Sequence, residues 1–141
     1  MNSITAAQAR LETAEDLPTI LNAAYEAFDA MLPVIHDHQD PAGGSFVTFV
    51  MSATYAANGR DAVGFAPSLP SAAIPPAPEH PAEKGSALEA ATALASLSQL
   101  LASRLVSAGQ RATTQSDRIA CTVAAHQATR LWSLLAQAAG L

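Results

Sequence analysis

A chain of 141 residues is long enough for one domain with a core of its own. Half of its residues are hydrophobic but only 5% are aromatic, and alanine leads the composition, which favours closely packed helices over a β-sandwich. With 13% charged residues and a formal net charge of −5, it makes a poor nucleic-acid binder, and no apolar run is long enough to span a membrane as a helix.

The charge is unevenly spread. Residues 1–40 carry Arg10 against Glu12, Glu15, Asp16, Glu26, Asp29, Asp37 and Asp40. Residues 100–141 carry Arg104, Arg111, Arg118 and Arg130 against Asp117. The simplest expectation is that the acidic and basic segments lie side by side and neutralise each other. Cys121 is the only cysteine, so no internal disulfide forms, which suits a reducing, cytoplasmic setting. Its apolar and hydroxylic neighbours suggest a buried structural thiol. The first residues lack a basic stretch followed by an apolar run, so no signal peptide is read there. Frequent Ala, and Arg in preference to Lys, suggest a GC-rich bacterial genome.

Taken in order, Ser3–Glu15 has a thin apolar stripe of Ile4, Ala7, Leu11 and Ala14, enough for a short lead-in helix. Asp16-Leu17-Pro18 marks a new helix start, since Pro is tolerated in a first turn. Leu17, Leu21, Ala24, Tyr25, Phe28, Leu32 and Ile35 then recur at helical spacing, and a helix over 17–38 follows. Pro33 should kink it or stop it a turn early. Asp40-Pro41 reads as an N-cap and first helical residue, and Asn58-Gly59 as a stop, giving a helix over 41–58. Phe46, Phe49, Val50, Ala53 and Ala57 share its expected buried face, with Tyr55 opposite.

Residues 64–85 hold six of the nine prolines and cannot be one regular helix. They are expected to cross the bundle as an extended strap, or to act as a lid or partner-binding segment. Ser86-Ala87-Leu88-Glu89 is a capping box in which Glu89 would reach back to the Ser86 N–H. Leu94, Leu97, Leu101 and Leu105 give the next helix, 86–108, its stripe, and Gly109 is a natural stop. Thr114 with Asp117 is a second N-cap signal for a helix over 114–139. On that helix Ala120, Ala124, Ala128, Leu131, Leu135 and Ala138 form one side, flanked by Cys121, Trp132 and Leu134. Thr122, His126, Thr129, Arg130, Ser133 and Gln137 form the other.

The fold expected is therefore all-α: a single domain over 1–141, a four-helix bundle with a possible short N-terminal helix. A long Pro-rich crossover joins the second main helix to the third.

Chemistry-bearing patterns are sparse. His36-Asp37-His38 with Asp40 close by has metal-binding residue types, and His126 could complete a set for a divalent transition metal. On a helix His36 and His38 would point roughly 160° apart, so only an extended segment could bring them together. His80 lies among prolines and is expected to be solvated. No Gly-x-Ser-x-Gly turn or P-loop is present, and Cys121 and His126 fall on different sides of a helix. Ala42-Gly43-Gly44-Ser45 lacks the lysine of a phosphate cradle.

Two readings follow. The first is a non-enzymatic helical module that needs no cofactor and binds another protein or its own copy as a homodimer. Thr122, His126, Arg130, Ser133 and Gln137 are its candidate contact surface. The second is a small metal-dependent enzyme or ligand binder using His36, His38, Asp40 and His126.

Overall fold

A computed structural model describes residues 2–70 and 85–141. Among them are five helices and no strand: α1 (Asn2–Thr13), α2 (Leu17–Asp37), α3 (Phe46–Gly64), α4 (Ala87–Arg111) and α5 (Gln115–Ala138). The all-α expectation holds. The middle of the Pro-rich stretch, with His80, lies outside the described residues.

Helices α2, α3, α5 and α4 pack in a closed cycle in that order, each against the next. The backbones of the diagonal pairs α2/α5 and α3/α4 stay apart. Helix α1 lies across α2 and α4 and fills the groove between them with Ile4, Ala7 and Leu11, while Ala14 is buried just beyond its end. The thin stripe is thus enough: small residues let α1 approach closely, and Leu11 is fully buried. The core is continuous from α1 to α5, with Phe28, Phe49, Leu94, Leu97, Leu101, Leu105, Leu131 and Leu135 inaccessible. Each such side chain contributes about 1.5–3 kcal/mol through removal from water.

Helix α2 begins as its sequence suggests. Asp16 Oδ1 accepts from the Thr19 N–H at 2.9 Å, and Pro18 sits in the first turn. That bond holds the Asp16 carboxyl below its ordinary range. Pro33 does not stop the helix, which continues to Asp37. Met31 and Ile35, on either side of Pro33, are both fully buried, so packing retains the last turn.

Helix α3 departs most from expectation. Asp40-Pro41 starts no helix. The Asp40 carbonyl accepts from Gly43 N–H at 2.9 Å and its Oδ1 from Ala42 N–H at 3.0 Å, so these residues make a turn. The helix opens at Phe46 after Ser45, which makes no side-chain cap bond. It also runs through Asn58-Gly59 to Gly64. Gly59 is buried against α2, where a Cβ would overlap three ring carbons of Phe28. The glycine there sets helix separation rather than chain reversal. The buried face is Phe49, Ser52, Ala56, Gly59 and Val63, whereas Val50 is exposed. Apolar residues surround α3 nearly uniformly, so periodicity alone does not select its inner side. Contacts of Gly59 with Phe28 and of Arg60 with Asp29, alongside His38 with Phe49, set α2 and α3 antiparallel.

Helix α4 starts at the Ser86 cap. Ser86 Oγ accepts from Glu89 N–H at 3.1 Å, but the return bond differs: the Ser86 hydroxyl itself donates to Glu89 Oε1 at 3.3 Å. Gly109 is not the stop, since the helix reaches Arg111. A Cβ on Gly109 would come 3.3 Å from Cys121 Cβ, so this glycine too serves close helix approach, here of α4 to α5. A three-residue turn then reverses the chain into α5, capped by Thr114 Oγ1 accepting from Asp117 N–H at 3.2 Å.

Although α1 and α2 pack against α4, no ion pair joins the acidic N-terminal and basic C-terminal segments among the described residues. The ion pairs there are Arg10–Glu26, Arg60–Asp29 and Arg60–Asp61. Arg111 reaches the N-terminal segment, but donates to the Glu15 backbone carbonyl.

Candidate functional site

The four-helix cycle has two opposite grooves of interest. The α2/α4 groove is filled by α1. The α3/α5 groove has no helix over it among the described residues. Its concave part measures about 360 Å³ and is lined by Ala62, Phe65, Ser116, Ile119, Ala120 and Val123. Phe65 is 83% exposed, Ile119 55% and Val123 44%. Val47 and Met51 continue the same outer stripe of α3 and are also exposed. Large apolar side chains grouped like this cost solvation free energy and mark contact surfaces more often than isolated exposed ones do.

One end of the groove is fixed by a buried carboxylate. After α3, Ala66 and Leu69 turn the chain back through N–H bonds to Val63 and Ala66 carbonyls. Ser68 then meets Asp117, whose Oδ1 accepts from Ser68 N–H at 3.1 Å and whose Oδ2 accepts from the Ser68 hydroxyl at 2.6 Å. The Thr114 hydroxyl donates to the same Oδ2 at 3.0 Å. Asp117 is only 1% exposed. Burial pushes its carboxyl up, but the bonds from Ser68 and Thr114 outweigh that and hold it below the usual carboxylate range. Its place in the first turn of α5 also sets the charge against the positive end of the helix dipole. Thr114-x-x-Asp117 announces the cap in the sequence, but nothing local announces Ser68 as the second partner.

The middle of the groove rim is cationic. The Arg130 guanidinium lies 5.6 Å from the Tyr55 ring centroid, and its Nε donates to His126 Nε2 at 2.9 Å. His126 therefore carries its proton on Nδ1. Arg130 has no carboxylate partner among the described residues. With Phe65 and Ala62 beside the start of α5 and Tyr55 beside Arg130, α3 and α5 run antiparallel. Thr122, His126, Arg130, Ser133 and Gln137 are all exposed along the outside of α5. Tyr55, expected opposite the buried face of α3, is half-buried under Arg130.

The metal candidates are not brought together. His36 is exposed at the end of α2. His38 turns the other way: Nδ1 is 2.9 Å from the Val34 carbonyl and Nε2 is 3.1 Å from the Gly85 carbonyl. Its ring stacks on Phe49 with centroids 5.5 Å apart. Both ring nitrogens thus lie against backbone carbonyl oxygens rather than against another metal-binding side chain. Asp40 Oδ1 is engaged by its own turn, and His126 Nε2 by Arg130. Among the described residues no three His, Cys, Asp or Glu side chains form a set that could hold one ion. His38 instead ties the end of α2 to the residue preceding the α4 cap.

Cys121 is buried between α5 and α4, and its thiol is pushed up to about 11, first by burial and then by the Asp117 charge. Such a thiol is a poor nucleophile. None of the helices in the described residues is long and apolar enough to cross a membrane. Compared with protein-family models, curated proteins and solved structures, the chain matches none of them. The class that the fold defines is an all-α bundle, with an apolar groove between α3 and α5 that no helix among the described residues covers.

Proposed function

We propose that this chain is a non-enzymatic, helical protein-interaction module that self-associates. The observation that carries the reading is the α3/α5 groove, which no helix among the described residues covers and where Phe65, Ile119 and Val123 are exposed, while the opposite groove is filled by α1. A grouped apolar surface of this kind gains free energy when a partner removes it from water. The setting proposed is a bacterial cytoplasm, on the strength of the single, buried cysteine and the Ala- and Arg-rich composition.

Size-exclusion chromatography with light scattering over a wide concentration range tests the reading. A mass rising to twice the monomer mass with concentration is expected. A monomer at every concentration, purified without any partner, overturns it.

A further inference from the structure

We draw no further inference here: the strongest candidate, the apolar groove between α3 and α5 where Phe65, Ile119 and Val123 are exposed, carries none because nothing in the structure shows what covers it.

Discussion

Asp117 shows how one buried residue links elements that the sequence keeps far apart. Its carboxylate accepts three side-chain and backbone bonds from Ser68 and Thr114 and so pins the chain after α3 to the start of α5. Hydrogen bonds to a charged group contribute about 1.5–3 kcal/mol each, and stranded donors add to the loss. Asp117→Ala is expected to lower stability by about 2–4 kcal/mol in urea unfolding at neutral pH. The sign with pH follows from the lowered carboxyl. The folded state binds the proton less readily than the unfolded state, whose Asp titrates near ~3.9. The contribution is complete above that value and disappears as pH falls through the lower, folded value. Wild type should therefore lose stability between about pH 5 and pH 2 more steeply than Asp117→Ala. Equal slopes would contradict this role.

The buried thiol makes a second residue-scale test. Burial, then the Asp117 charge, raises Cys121 to about 11, so little thiolate is present at pH 8. A disulfide exchange reagent should label native protein very slowly at pH 8 and label urea-unfolded protein fully. Rapid native labelling would mean that the α4/α5 seam opens.

Among the elements, α3 carries the most instructive glycine. Gly59→Ala would ordinarily strengthen a helix by about 0.5–1 kcal/mol. Here the added carbon overlaps the ring of Phe28, which is fully buried. Overpacking costs about 1–3 kcal/mol, so a net loss is expected and should be visible as a lower denaturant midpoint. Gly44, where an added Cβ would meet no atom within 4 Å, should tolerate alanine and serves as the control. Helix α1 gives the complementary test. Leu11 is fully buried in the α2/α4 groove. Leu11→Ala is expected to cost about 2–5 kcal/mol, where a loosely attached lead-in helix would lose almost nothing.

For the whole molecule, the closed cycle of α2, α3, α5 and α4 predicts cooperativity. Each of these helices has two neighbours in the cycle, and the buried cluster runs through all of them and α1 without a break. Thermal melting followed by helix signal and by Trp132 fluorescence should give one shared midpoint. Two separate midpoints would show that the N-terminal and C-terminal halves unfold independently. The α3/α5 groove is the exception to this closure, since no helix among the described residues lies over it.

Sequence legibility follows the physical range of each interaction. Local signals read well: the helix start at Asp16-Leu17-Pro18 and the Ser86 and Thr114 caps are all present, because a side chain and an N–H three residues on meet without help from the rest of the fold. The inward faces of α2, α4 and α5 follow from spacing, with Phe28, Leu94, Leu101, Leu131 and Leu135 all buried. The exposed ladder from Thr122 to Gln137 reads the same way. The stops assigned to Gly59 and Gly109 fail because a glycine has two uses, and only a neighbouring helix reveals which one applies. Asp40-Pro41 satisfies a turn as well as it would satisfy a cap. The approach of Phe65 to Ile119 and Val123, and of Ser68 to Asp117, joins positions about fifty residues apart that no periodicity connects.

Composition and spacing by themselves determined that the chain is helical and which sides of three helices avoid water. Those properties depend on backbone propensity and on the 3.6-residue turn, both local. Tertiary structure decided that α1 fills one groove while no helix among the described residues lies over its opposite, that His38 faces two carbonyls, and that a buried Asp117 joins the chain after α3 to α5. These depend on which surfaces meet once the core has closed, and the free energy of that choice is shared among residues remote in the chain.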